Sequence, residues 1–231
     1  MKNFKKDIDV VLLCGGKGQR LRPHTLTVPK PLLIVNKKPF LYFLVNKFLK
    51  MGVRQIIIAA GYKAEKVEKF CNRFFSKKKN HIKIVNSGNV DILKRLKDCS
   101  KFLKNDFFVC YGDTHVDIDL NRYIKKFIKS KKKACMIGSF YQLKYGTIEY
   151  NKKNNTVKAF KEKPIIKNPI NLGYFIFKKE LITEIKRNKS WISFLKKLSK
   201  NSQMILHVTK NNFFSFDSPR EYFEIKSKFI K

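Results

Sequence analysis

Cysteine is sparse in this chain and follows no ligand or disulfide spacing. The five cysteines are Cys14, Cys71, Cys99, Cys110 and Cys135, and no C-x-x-C pair occurs among them. An odd and scattered set argues against a disulfide framework and against a zinc knuckle. Each cysteine has apolar neighbours in the sequence, which is typical of buried free thiols.

Long apolar segments are also missing. No run approaches the roughly 20 apolar residues that a membrane-spanning helix requires. The charged start at residues 1–6 and the apolar run 10–14 imitate a signal peptide, but this run ends at Gly15, short of the ~7–15 residues of an h-region. The sequence therefore predicts a cytoplasmic protein with no membrane insertion.

Internal repeats, low-complexity tails and linkers rich in proline, glycine or serine are absent as well. The 231 residues suit one α/β domain of ordinary size, and an apolar content of 43% is enough to bury a core. We therefore predict a single domain spanning residues 1–231.

Acidic residues are few, and this gives the chain a strongly positive charge. There are 17 Asp and Glu against 52 Lys and Arg, a net charge of +35 at pH 7. Such a field attracts nucleic acid or an anionic membrane surface. The lysines, however, are spread over the whole chain, and the clusters at residues 77–79 and 131–133 are short. Lysine has A/T-rich codons, so a genome of low GC content can explain much of the lysine excess. We therefore favour a solvated lysine surface over a positive charge selected for binding.

Nucleic-acid binding by this surface is expected to be non-specific. The affinity for any oligonucleotide should fall about 10³-fold between ~50 and ~200 mM salt, because phosphate contacts release counterions. Fluorescence anisotropy with oligonucleotides of different sequence measures this directly. Nanomolar, sequence-selective binding at physiological salt would instead favour a nucleic-acid-binding protein.

Short apolar runs alternate with amphipathic stretches along the chain. Buried strands are predicted at residues 10–14, 55–60, 83–85, 106–111, 134–139, 146–150 and 174–177, and helices at 39–51, 64–75 and 120–130. This order predicts an α/β fold with a mixed sheet flanked by helices. From about Cys135 shorter strands with turn signals predict a small antiparallel elaboration of the same sheet. Near the end, Ser218, Pro219 and Glu221 form the start signal of a helix.

A glycine-rich loop is the most informative segment. A predicted buried strand leads into Gly15, Gly16 and Gly18, followed by Arg20 and Lys30. Glycines let a backbone approach a ligand and turn its N–H groups toward anions, and guanidinium and ammonium groups bind phosphate. The third glycine of the dinucleotide fingerprint is missing, and so is the G-K-[ST] of the P-loop. The loop suits a nucleoside triphosphate.

The pattern G-G-x-G-x-R-L-x-P-x-T, followed by P-K-P, runs from Gly15 to Pro31. It resembles the signature of the sugar-1-phosphate nucleotidyltransferases, also called NDP-sugar pyrophosphorylases. Four further segments are similar to motifs of that family in the same order: Tyr111-Gly112-Asp113, Phe160-Lys161-Glu162-Lys163-Pro164, residues 170–177 and Phe216-Asp217-Ser218.

The resemblance implies a Rossmann-like nucleotidyltransferase fold. It also implies Mg²⁺-dependent transfer of a nucleotidyl group from a nucleoside triphosphate to a sugar 1-phosphate, giving an NDP-sugar for cell-surface polysaccharide and pyrophosphate. The nucleotide would bind the half at about residues 1–120, and the sugar phosphate the half at about 121–231. A homo-oligomer is compatible with this resemblance, and no specific nucleic acid is an expected partner.

Five residues would carry the reaction according to this resemblance. Asp113 and Asp217 would bind Mg²⁺ through hard carboxylate oxygens. Arg20 would hold the leaving β,γ-phosphates, and Lys30 the α-phosphate between the substrates. Lys163 would grip the phosphate of the sugar.

The remaining predicted contacts divide between the two substrates. Glu162 would accept sugar hydroxyls, and Asn171, Gly173 and Gly146 would line the sugar pocket. The predicted nucleotide contacts are Gly15, Gly16, Gly18, Arg20, Ser87, Gly88 and Arg95.

The segment at residues 85–96 is similar to the base-recognition stretch of glucose-1-phosphate cytidylyltransferases. Ser87-Gly88 is present, but Asp91-Ile92 replaces a tandem glycine, and no glutamate follows Trp191. CTP is the expected nucleotide, with Arg95 donating to O2 of cytosine.

Three other hypotheses stay open. The same chemistry could use GTP and a heptose or mannose 1-phosphate. The chain could be a basic nucleic-acid-binding protein, although its aromatics lie inside apolar strands rather than between arginines. It could also be a catalytically idle relative, although Arg20, Lys30, Asp113, Lys163 and Asp217 are all retained.

Overall fold

A computed structural model of the chain describes residues 8–117, 119–210 and 212–228. The charged start at residues 1–6, used above for the signal-peptide prediction, lies outside these ranges. Among the described residues, no helix combines the length and the apolarity needed to cross a bilayer.

The strands are short and follow the buried apolar runs. They are β1 (Asp9–Leu13), β2 (Ile34–Val35), β3 (Lys38–Pro39), β4 (Gln55–Ala60), β5 (Ile82–Asn86), β6 (Phe107–Tyr111), β7 (Thr114–Val116), β8 (Ala134–Ser139), β9 (Thr147–Tyr150), β10 (Val157–Lys161), β11 (Ile170–Phe177), β12 (Met204–Thr209) and β13 (Phe213–Ser215).

The α-helices connect these strands. They are α1 (Phe40–Met51), α2 (Ala64–Phe75), α3 (Ile92–Cys99), α4 (Leu120–Lys129), α5 (Leu181–Arg187), α6 (Trp191–Lys200) and α7 (Pro219–Lys228). Short 3₁₀ helices lie at Gln19–Leu21, Lys30–Leu32, Ser76–His81 and Ser100–Phe102.

A seven-stranded sheet forms the centre, in the order β12-β8-β11-β6-β1-β4-β5. Strand β1 pairs in parallel with β4 and β6, β4 with β5, and β8 with β12. Strand β11 is antiparallel to both neighbours. The predicted mixed α/β sheet is therefore confirmed, with helices on both of its faces.

The alternation of side chains along each strand divides the core into two layers. Val10 and Leu12 of β1 belong to the apolar cluster that includes residues of α1, α2 and α4. Val11 belongs to the second cluster, which includes residues of α3, α5 and α6. Because the central strands are buried on both faces, their sequences are continuous apolar runs. All five cysteines are buried free thiols, as the sequence predicts.

The C-terminal half differs from the prediction in three ways. Strands β9 and β10 form a separate two-stranded hairpin instead of extending the main sheet. The antiparallel strand β11 lies inside the sheet, between β6 and β8. Helices α5 and α6 occupy a region for which no helix is predicted; α5 is only 7 residues long, and α6 buries only three of its side chains, those of Trp191, Phe194 and Leu198.

The helix start near the C-terminus is as predicted. Helix α7 begins at Pro219, and the hydroxyl of Ser218 accepts the backbone N–H of Glu221 at 3.3 Å. The Glu221 carboxylate reaches back to the backbone N–H of Asp217 at 2.9 Å. The cap therefore fixes the backbone of a predicted metal ligand.

Candidate active site

A cleft of about 690 Å³ opens at the carboxyl ends of β1 and β6. In α/β sheets, ligands bind at this edge of the strands. Residues from both halves of the chain line the cleft, including Gly15, Gly16, Gly18, Arg20, Lys30, Asp91, Asp113, Asn171 and Asp217.

Two carboxylates and one ammonium group meet at the floor of the cleft. Lys30 Nζ lies 2.5 Å from Asp113 Oδ2 and 2.6 Å from Asp217 Oδ1. The side chain of Lys30 is 9% exposed, whereas those of Asp113 and Asp217 are 29% and 47% exposed. The two acids therefore face the cleft and converge on a single cation.

Arg20 lies at the rim of this cluster. Its Nη2 is 3.1 Å from Asp217 Oδ2, and its side chain is 77% exposed. An exposed ion pair of this kind contributes little to stability. The guanidinium is therefore available to a phosphate that enters the cleft.

A two-stranded ribbon brings the carboxylates together although they are distant in sequence. Strand β7 follows Asp113 and pairs with β13, which precedes Asp217, so that Thr114 lies opposite Ser215. Their hydroxyl oxygens are 3.2 Å apart.

Side chains of the core form hydrogen bonds to the backbone of β7 in this ribbon. The hydroxyl of Tyr174 donates to the Thr114 carbonyl at 3.0 Å, and Lys47 donates to the Val116 carbonyl. Burial lowers the pKa of Lys47 to about 8. The spacing of the two acids therefore depends on several fixed contacts in the core.

Asp113 and Asp217 fit a divalent cation. One oxygen of each carboxylate contacts the Lys30 ammonium, so the two acids converge on one positive charge. Among the described residues, no group of three or more His, Cys, Asp or Glu side chains could hold a metal. Two carboxylates suffice for Mg²⁺, because phosphates and water complete its coordination.

Two glycines of the loop after β1 have different surroundings. A Cβ atom at Gly16 would meet no described atom within 4 Å, so that a ligand can approach its backbone. A Cβ atom at Gly15 would fall 1.9 Å from Nη1 of Arg95. Gly15 therefore makes room for an arginine, and Gly16 leaves space for a ligand.

Arg95 is not placed to donate to a base. It is 4% exposed, and burial lowers its pKa. Nη1 donates to the carbonyl of Ala60 at 2.7 Å, and Nη2 lies 3.0, 2.8 and 3.0 Å from the carbonyls of Gly15, Gly88 and Val90. The expectation that Arg95 donates to O2 of cytosine is therefore revised, because backbone carbonyls surround its terminal nitrogens.

The described residues of the cleft wall include Val90, Asp91 and Ile92 but neither Ser87 nor Gly88. Asp91 caps α3, where its Oδ1 accepts the N–H of Lys94 at 3.0 Å. The nucleotide contacts predicted for Ser87 and Gly88 stay predictions.

Asn171 and Gly173 lie in an irregular part of β11, and of the two only Asn171 is among the described residues that line the cleft. The Asn171 Oδ1 accepts the N–H of Gly173 at 2.8 Å, and Gly173 has a φ of +72°. A Cβ atom there would fall 2.3 Å from the ring of Tyr111. Glycine therefore allows the Tyr111 ring to lie against the strand, where Trp191 Nε1 donates to its hydroxyl at 3.1 Å.

Gly146, Glu162 and Lys163 are not part of the described cleft wall. Gly146 directly precedes the β9–β10 hairpin, and Glu162 and Lys163 directly follow it. Glu162 and Lys163 form an ion pair of 3.6 Å, with side chains 61% and 57% exposed. Their predicted roles toward the sugar phosphate stay predictions.

A known family model matches nearly the whole of this chain. The family model described as nucleotidyl transferase matches residues 9–217, from β1 to Asp217. The chain belongs to the nucleotidyl transferase family. The predicted resemblance to sugar-1-phosphate nucleotidyltransferases is confirmed, and so is the prediction of an enzyme.

Two similar relatives carry different names. The D-glycero-alpha-D-manno-heptose 1-phosphate guanylyltransferase of Campylobacter jejuni is 29% identical over 227 residues, which are 94% of this chain and 97% of that protein. The glucose-1-phosphate cytidylyltransferase of Salmonella typhimurium is 27% identical over 196 residues, which are 74% of this chain and 76% of that protein.

A solved structure has a similar fold over nearly the whole chain. HddC from Yersinia pseudotuberculosis superposes with a TM-score of 0.74 at 25% identity, covering 96% of this chain and 99% of that one. The structure of HddC complexed with GMP-PN has a TM-score of 0.72.

Within this nucleotidyl transferase, the structure brings most predicted residues to one cleft. They are Gly15, Gly16, Gly18, Arg20, Lys30, Arg95, Asp113, Asn171 and Asp217. Sequence reasoning missed Tyr111, Thr114 and Ser215, which also line it. The position of Tyr111 and Thr114 beside Gly112-Asp113 is the one signal that could have identified two of them.

Proposed function

We propose that this cleft transfers a guanylyl group from GTP to a sugar 1-phosphate, with a heptose or mannose configuration of the sugar. The observation that carries the transfer reaction is the convergence of Asp113, Asp217, Lys30 and Arg20 beside an open glycine loop. A nucleotidyl transfer requires two polyanions to be aligned and their charge neutralised, which such a cluster can do.

In the proposed reaction, an oxygen of the sugar phosphate attacks the α-phosphorus of the triphosphate. The new O–P bond forms as the bond to the leaving pyrophosphate breaks, so no covalent intermediate with the protein is required. Asp113 and Asp217 would hold Mg²⁺, which when bound neutralises charge on the phosphates.

The cations of this chain would act at defined places. Arg20, exposed at the rim, would bind the β- and γ-phosphates bidentately. Lys30, which reaches both carboxylates, would contact the α-phosphate between the substrates through its ammonium group. Open space beside Gly16 would admit a phosphate to the backbone N–H groups.

Two observations favour GTP over the CTP expected from sequence. The CTP expectation depended on Arg95 as a donor to cytosine, and four carbonyls now surround that guanidinium. Asp91, by contrast, is an exposed acceptor in the cleft wall. A carboxylate can accept both the N1–H and the amino group of guanine, whereas cytosine presents only an amino group to it.

The relatives support the same preference. The heptose relative is named a guanylyltransferase and matches almost end to end, and a structure of HddC is described as complexed with GMP-PN. The named acceptor of that relative is also the basis for proposing a heptose 1-phosphate first.

The test is pyrophosphate release with each of four nucleoside triphosphates against a panel of sugar 1-phosphates. GTP with a heptose or mannose 1-phosphate should exceed CTP by at least about tenfold in kcat/KM, because cytosine can make only one of the two hydrogen bonds that guanine makes to the Asp91 carboxylate, and a hydrogen bond to a charged group contributes about 1.5–3 kcal/mol. A higher kcat/KM for CTP with glucose 1-phosphate would overturn this choice and restore the cytidylyltransferase hypothesis. Asp91→Asn is the informative variant, since an amide can no longer accept both guanine donors.

A further inference from the structure

Arg95 is a buried cation held by backbone oxygens. Among the described residues it forms no ion pair with a carboxylate, and its terminal nitrogens are bonded to four carbonyls. Burial of an unpaired charge is costly. Charge-assisted hydrogen bonds offset part of that cost.

The four carbonyls belong to three loops at one edge of the sheet. Gly15 follows β1, Ala60 ends β4, and Gly88 and Val90 lie in the loop after β5. These strands are neighbours in the order β1-β4-β5. A single guanidinium therefore joins the glycine-rich loop after β1 to the loop that contributes Val90 and Asp91 to the cleft wall.

Two glycines give the guanidinium its space. A Cβ atom at Gly15 would lie within 2.6 Å of three Arg95 side-chain atoms, and these are its nearest neighbours. A Cβ atom at Gly61 would lie 2.1 Å from Arg95 Nη1 and 2.4 Å from the Gly88 carbonyl. Gly61 belongs to none of the motifs found in the sequence, and this contact explains it.

We propose that Arg95 is a positioning residue that fixes the loops after β1, β4 and β5 relative to one another, and thereby pre-forms the nucleoside end of the cleft without contacting the base. This role of Arg95 rests on the proposed function in one respect, namely that the ligand of the cleft is a nucleoside triphosphate. Loops that must be ordered on binding reduce affinity. A clamp that orders them beforehand therefore raises the affinity for any base.

The first test measures the Kd of GTP and of CTP by calorimetry for wild type and Arg95→Ala. Both Kd values should rise about 10–100-fold and by the same factor, because loop ordering is common to both nucleotides. A direct contact to the base would instead change the ratio of the two Kd values. An unchanged Kd for both nucleotides would overturn the proposal.

Two further variants separate positioning from charge and from stability. Arg95→Lys keeps the charge, but one ammonium cannot span four carbonyls, so its Kd values should stay close to those of Arg95→Ala. Arg54→Ala is the control, because Arg54 also donates to a carbonyl, at 3.2 Å from Phe102 O, and pairs with the buried Asp9, but it precedes β4 at the opposite end of that strand. It should lower stability and leave both Kd values unchanged. Recovery of affinity in Arg95→Lys would show that charge alone matters.

Gly15→Ala covers the case in which Arg95→Ala fails to fold; where Arg95→Ala does fold, the two changes together form a double-mutant cycle. Gly15→Ala keeps the arginine but displaces its guanidinium, and alone it should raise both Kd values by a similar common factor. In the Arg95→Ala background the same change should add less than about twofold, because its nearest clash is gone. Additive effects would contradict the clamp. If wild type bound neither nucleotide, the proposed function would fail. If wild type bound a nucleotide and Arg95→Ala bound it equally well, the clamp would fail and the proposed function would stand.

Discussion

Asp113→Asn should lower kcat by about 10²–10³-fold while the fold and the thermal midpoint change little. Asp113 directly follows Gly112 beyond the end of β6, and its Oδ2 is one of two oxygens that surround the central cation. An amide keeps the shape of the side chain but removes the anionic oxygen that Mg²⁺ prefers. The loss should be largest at limiting Mg²⁺ and partly reversed by excess metal.

Asp106→Asn is the matched control for this variant. Asp106 directly precedes the same strand, and its side chain is 31% exposed against 29% for Asp113. It pairs with Lys178 at 2.8 Å, at the opposite end of β6 from the cleft. Its replacement should leave kcat unchanged. A rate near that of wild type for Asp113→Asn at limiting Mg²⁺ would remove Asp113 from the metal site.

Lys30→Met should lower kcat/KM by about 10²–10³-fold and also destabilise the metal-free protein. Lys30 is the shared partner of both carboxylates, so its loss leaves two negative charges facing each other. Because water reaches both acids, we expect a cost of about 1–2 kcal/mol, less than for a fully buried pair. For a domain of this size that lowers the thermal midpoint by roughly 2–8 °C.

A metal titration distinguishes this explanation from a general loss of packing. Mg²⁺ should raise the thermal midpoint of Lys30→Met more than that of wild type, since the cation no longer competes with the ammonium. Lys178→Met, which breaks the ion pair with Asp106, serves as the control and should show no added response to metal. An equal response to Mg²⁺ in Lys30→Met and wild type would contradict a site shared by Lys30 and the metal.

The sequence predicts the elements of this fold well because the central strands are buried on both faces and the helices are amphipathic. Helix α2 has the predicted bounds Ala64–Phe75, and α1 and α4 differ by a residue or less at each end. The glycine loop and Asp113 follow strands directly, so their place at the carboxyl edge of the sheet can be inferred from local order.

Features that depend on distant contacts could not be predicted in the same way. The pairing of β7 with β13 joins residues about 100 positions apart, and it sets the distance between Asp113 and Asp217. The role of Arg95 depends on three loops meeting around one side chain. Strands β9 and β10 pair with each other and not with the main sheet. The alternation of side chains predicts a strand but does not determine which strand it pairs with.

The most direct test of the account follows the α-phosphorus of the nucleotide. Wild-type protein is incubated with Mg²⁺, α-labelled GTP and a sugar 1-phosphate, and the products are separated. The label should appear in a nucleotide-sugar, with one pyrophosphate released for each, only when both substrates are present, and Asp113→Asn should form both products about 10²–10³-fold more slowly. Label that stays in free nucleotide with every triphosphate and every sugar 1-phosphate, or pyrophosphate released without the sugar, would contradict nucleotidyl transfer at this cleft.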